Sequence, residues 1–96
     1  MEKGTFWLKP EPNGDITIGI EDYDVEFFDG GDHEMMWTLD QENIAKLTDI
    51  LSQTHNGNLE NMIEKEFGIH LNKKSLGKWL DENEIEYKYF FWTSYD

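Results

Sequence analysis

Apolar residues alternate with polar ones through the first forty positions, then recur at helical spacing. Residues 5–9 read as a strand, with Phe6 and Leu8 on one face and Trp7 on the other. Pro10, Glu11, Pro12, Asn13 and Gly14 form a turn, since Asn-Gly readily supplies the positive φ that hairpins need. Residues 15–28 then read as one long strand, whose apolar set runs Ile16, Ile18, Ile20 and changes parity to Tyr23, Val25, Phe27. Strand side chains alternate with period two, so this change requires one extra residue, and a bulge is expected near Glu21 and Asp22. Asp29, Gly30, Gly31 and Asp32 reverse the chain into a strand over residues 34–39 that carries Met35 and Trp37.

Three helices follow. Asp40 is placed to cap the first, with Leu39 and Ile44 as a hydrophobic staple and Ile44, Leu47, Ile50 and Leu51 as its apolar stripe. Asn58 caps the second, which turns Leu59, Met62, Ile63 and Phe67 inward and stops at Gly68. Asn72 is the expected cap of the third, with Leu71 and Leu76 as staple, Trp79 and Leu80 on its core face and Asn83 at its end. A last strand over residues 86–92 alternates Tyr87, Tyr89 and Phe91 with Lys88, Phe90 and Trp92. The order β-β-β-α-α-α-β predicts an α+β fold: a mostly antiparallel sheet with helices on one face. At 96 residues the chain is expected to form a single domain.

Charge changes this picture most. Twenty-one acidic residues face eight basic ones, a net charge of −13, and all eight bases are Lys. Without Arg the chain lacks the planar donor fork that reads phosphate or guanine, and its charge repels nucleic acid and anionic membranes alike. Between Asp15 and Glu42 there are ten acidic residues and no Lys. Asp22, Asp24 and Glu26 fall on one strand face, about 6.6 Å between neighbours, and Asp29, Asp32 and Glu34 continue the charge around the reversal. Such a ladder is a solvated outer face that deters edge pairing, or a docking surface for a basic partner. Phe90 and Trp92 have two readings as well: a strand covered on both sides, or anchors on an open sheet face.

Chemistry-bearing patterns are sparse. The chain has no Cys, which removes disulfides and thiolate sites. Asp22, Asp24 and Glu26 lack the central Gly and closing Glu of an EF-hand loop, and His33, His55 and His70 lie in separate segments, so no metal site or cofactor is expected. Ser52, Ser75 and Ser94 lack a nucleophile-elbow context, and Gly30-Gly31 has neither the spacing nor the Lys of a phosphate loop. The chain is therefore expected not to be an enzyme. With no charged leader and no bilayer-length apolar run, it is expected in the cytoplasm.

The acidic strand, the Gly30-Gly31-Asp32 loop, the Trp37-Thr38-Leu39-Asp40 helix entry and the run from Trp79 to Tyr87 with its aromatic tail resemble small acidic bacterial immunity proteins of polymorphic or contact-dependent toxin systems. The resemblance implies an inhibitory binding module for a basic partner, a toxin or nuclease domain. A DNA mimic that blocks a host defence or restriction nuclease, and a non-inhibitory subunit of a larger complex, are the alternatives. The purified protein should retard neither duplex nor single-stranded nucleic acid in a gel at ~0.15 M salt. A salt-sensitive shift of either would contradict the charge argument.

Overall fold

A computed structural model describes residues 5–22 and 32–94; for Asp22, Asp32, His33 and residues 92–94 it describes the backbone alone. Four strands and three helices follow the expected order: β1 (Trp7–Pro10), β2 (Ile16–Asp22), β3 (Asp32–Leu39), α1 (Gln41–Ser52), α2 (Leu59–Phe67), α3 (Leu76–Glu82) and β4 (Lys88–Ser94). The strands form one sheet in the order β1-β2-β3-β4, antiparallel throughout. Among the described residues no helix is long and apolar enough to cross a membrane.

The β1–β2 hairpin closes over five residues. Glu11 N–H donates to the Asp15 carbonyl and Gly14 N–H to the Glu11 carbonyl. Gly14 takes the positive φ (+94°), and the Asn13 side chain accepts from Asp15 N–H. Asn-Gly thus acts as a braced loop rather than a two-residue turn. The β2–β3 ladder runs unbroken from Ile16↔Leu39 to Asp22↔His33. The expected bulge is therefore not at Glu21 and Asp22, and Asp22 keeps the parity of Ile18 and Ile20. The second half of the proposed long strand, with its parity change, lies outside the described residues.

The core forms where the helices meet the face bearing Phe6, Ile18, Ile20, Trp37 and Leu39. Leu47 and Leu51 of α1, Met62, Ile63 and Phe67 of α2, and Leu76 and Leu80 of α3 complete it. Each fully buried aliphatic or aromatic side chain contributes about 1.5–3 kcal/mol of transfer free energy. Trp79, expected in the core, is half-buried and meets the Phe67 ring edge-on at 5.2 Å. Asp40 and Asn58 cap α1 and α2 as expected, each side chain accepting the N–H three residues on. The cap of α3 is Ser75, not Asn72. The chain around Asn72 is still closing α2: Lys73 N–H donates to the Phe67 carbonyl, and Leu71 adopts φ +52°. A helix cannot begin until that wrap is finished.

The exit from α3 sets the path of β4. Ile85 N–H donates to the Leu80 carbonyl and Glu84 N–H to that of Asp81, a Schellman ending in which Glu84 holds φ +57° and Ile85 is driven into the core. Next in sequence, Glu86 N–H donates to Asn43 Oδ1 at 2.8 Å, while Asn43 Nδ2 donates to Asp40 Oδ1. Asn43 is 2% exposed, so its amide depends on both partners. Replacing Asn43 by Ala should cost about 1–3 kcal/mol, because a part-buried N–H loses its acceptor. Urea unfolding of the two proteins measures this, and equal midpoints would remove Asn43 from any structural role.

Candidate functional site

Strand register decides which side chains share the sheet face opposite the helices. Core residues Ile18, Ile20, Trp37 and Leu39 occupy one parity of β2 and β3, so Thr17, Gly19, Glu21, Glu34, Met36 and Thr38 occupy the other. Pairing extends this face across the sheet in three rows, with the backbones of Asp32 and Ser94 forming a further pair beyond them. Lys9, Thr17, Thr38 and Lys88 form the first, Trp7, Gly19, Met36 and Phe90 the second, and Glu21, Glu34 and Trp92 the third. For Trp92 only the backbone position is meant.

The first row is polar and closely bonded. Thr17 Oγ1 donates to Glu11 Oε2 at 2.9 Å and lies 2.9 Å from Thr38 Oγ1. The middle row is apolar. Gly19 has no side chain because the Trp7 indole lies across it, and a Cβ there would overlap the ring. Trp7 and Met36 are half-buried, and Phe90 is 54% exposed. In the third row Glu21 and Glu34 stand directly opposite one another, two carboxylates where opposite charges would stabilise. Burial raises the Glu34 carboxyl above its ordinary range, and the hydrogen bond and charge of Glu21 push it the same way.

Strand β4 also presents aromatic surface on the helix side. Tyr87 is tied down, its hydroxyl 3.0 Å from Asp81 Oδ1 and 3.5 Å from the Gly77 carbonyl. Tyr89, tilted against Trp37 at 5.4 Å, is 52% exposed, and Phe91 is exposed as well. A shallow hollow between α3 and β4 is lined by Trp37, Gly77, Lys78, Asp81, Tyr87 and Tyr89.

Elsewhere, Glu66 accepts from Lys74 Nζ and meets His55 Nε2, each at 2.6 Å. The Lys74 contact first, and His55 second, hold its carboxyl below the usual range. This cluster ties α2 to its flanking loops. Among the described residues no three acidic or His side chains are grouped closely enough to hold a metal ion.

Of the residues expected in a partner site, Glu34 and Phe90 share the face opposite the helices, and the Trp92 backbone has the same parity. Asp22 has the core parity of β2, whereas the Asp32 backbone, paired with Ser94 at the start of β3, has the outward parity of Glu34. Asp24, Glu26 and Asp29 lie outside the described residues. Trp7, Met36 and Glu21, which were not among the expected site residues, share the face. The sequence held a signal for them: Gly19 interrupting an Ile-rich strand marks close approach of another group. No protein-family model, curated protein or solved structure matches the chain.

The Glu21–Glu34 pair has a stability signature. Its raised pKa means that Glu34 binds a proton more tightly in the folded chain than in the unfolded one. Its contribution to stability is therefore fully present below the ordinary carboxylate range and lost as pH rises through the folded pKa. Glu34→Gln should stabilise the protein near neutral pH, by at most about 0.5 kcal/mol for a solvent-screened pair. The gain should vanish below pH ~4, where wild type is itself protonated. Urea midpoints at the two pH values measure it; a gain that persisted in acid would point to packing rather than charge.

Proposed function

We propose that the protein is an inhibitory binding module of the immunity-protein type, which neutralises a basic toxin or nuclease domain by occupying or adjoining its substrate cleft. The carrying observation is the sheet face opposite the helices, where the apolar row of Trp7, Met36 and Phe90 lies beside the opposed carboxylates of Glu21 and Glu34. Interfaces draw their energy from a few aromatic anchors, and charge complementarity sets association rate and partner choice. A nuclease cleft built for phosphate presents the complementary charge. A net charge of −13 would draw it in over several ångströms at physiological salt. Nuclease–immunity pairs are among the tightest protein complexes, so the affinity required is attainable by proteins of this kind.

The test begins with capture of the partner from the native host, followed by an assay of its activity with and without the protein. Stoichiometric loss of a toxic or nuclease activity is the expected result. Phe90→Ser should accelerate dissociation at least tenfold, the scale of a lost aromatic anchor. Glu21→Gln combined with Glu34→Gln should slow association and weaken its dependence on salt. A partner that keeps full activity in the complex would instead make the protein a subunit rather than an inhibitor.

A further inference from the structure

The two edges of the sheet are built differently. At one end of the strand order, β1 is four residues long, carries Lys9 and finishes at Pro10. Its approach is also occupied, because Phe6 N–H donates to the carbonyl of Ile69 at 2.9 Å. Short length, Lys, Pro and a covering loop are the usual means of keeping an edge from pairing. At the other end β4 runs for seven residues, has no Pro, and carries one charge, Lys88, at its start. Among the described residues no further strand follows it in the sheet. A strand at an edge turns every second pair of backbone groups away from its neighbour, a template for one more strand.

Side chains on both faces of β4 suit the same purpose. Tyr89 on the helix side and Phe90 on the opposite side are each about half exposed, at 52% and 54%. An added strand would set its Cβ atoms about 4.5–5.5 Å from those of Tyr89 and Phe90 and lay side chains against both rings. Charge selects the occupant. A second copy would bring a further −13 to a chain that is already −13, whereas a basic segment is attracted. We infer that the edge of β4 is a strand-addition site, at which an extended segment of the partner rich in Lys or Arg pairs with Lys88–Ser94 as a fifth strand. This rests on the reading of the partner as basic, and adds how it is held: main-chain hydrogen bonds along β4, with Tyr89 and Phe90 as flanking contacts.

The probe is a ten-residue peptide alternating Lys and Val. It is compared with the same peptide N-methylated at alternate residues, and with one alternating Glu and Val. N-methylation keeps the charge and removes the donors that strand pairing requires. The Lys–Val peptide should bind at least tenfold more tightly than its N-methylated form and slow amide exchange in β4 but not in β1. Equal binding of the two basic peptides, or protection confined to other strands, would overturn strand addition while leaving a basic partner in place. Preference for the Glu–Val peptide would overturn both readings. A dimer in sedimentation without peptide, with β4 amides already protected, would show that a second copy occupies the edge and would overturn the inference alone.

Discussion

One buried amide sets where the sheet is completed. Asn43 stands in the first turn of α1, fixed there by the Asp40 cap, and accepts the N–H of Glu86 across 43 positions of sequence. It thereby ties the exit from β3 to the entry into β4, two segments separated by all three helices. An amide so deeply buried is costly unless both its ends are bonded, so the bridge admits little variation in position. The Schellman ending of α3 delivers the chain to it with Ile85 in the core. Together these fix the register Thr38↔Lys88, from which Met36↔Phe90 and Trp37↔Tyr89 follow. A slip of one residue would exchange the two faces of β4, carrying Phe90 to the helix side and Tyr89 to the opposite face.

That dependence explains an otherwise unfavourable choice at Glu84. A non-glycine residue at positive φ costs on the order of 1 kcal/mol, and Gly is the usual occupant of this position. The turn is retained because the alternative is to lose the path into β4. The Glu21–Glu34 pair is a second unfavourable choice, two carboxylates directly opposed across β2 and β3. Opposed carboxylates on an outward sheet face weaken the fold and strengthen attraction for a cation.

Much of this architecture was legible in the sequence, because its strongest signals are local. Asp40 and Asn58 precede helical stripes, the apolar spacing names the inward faces of α1 and α2, and alternation in residues 86–92 separates Tyr89 from Phe90. What was not legible depends on long-range partners. Asn43 looks like any polar residue in the first turn of a helix until Glu86 arrives to bond it. Gly19 looks like a weak point in a strand until Trp7 is laid across it from the neighbouring strand. Asn72 and Ser75 are both good caps, and the choice fell to Ser75 because the α2 exit consumes Leu71 and Lys73. The bulge expected near Glu21 and Asp22 falls at neither, because the ladder with β3 holds its register through both. Asp22, expected on the outward face with Asp24 and Glu26, therefore keeps the core parity of Ile18 and Ile20.

The outward face is also not uniformly acidic, which matters more than the total charge. Lys9 and Lys88 flank its first row and Glu21 and Glu34 lie in its third, with Trp7, Met36 and Phe90 between. The charged rows are four residues apart along the strands, about 13 Å. That exceeds the screening length of ~8 Å at physiological salt, so an approaching protein meets the two signs as separate features. Net charge draws a basic partner from a distance without regard to orientation. At contact the gradient from Lys to Glu favours one direction of docking over its reverse, and the apolar row supplies what either direction would bury. In the proposed complex, attraction, orientation and adhesion would thus be carried by different residues of one sheet face. A change at Glu21 or Glu34 would then act on how such a partner arrives, and a change at Phe90 on how long it stays.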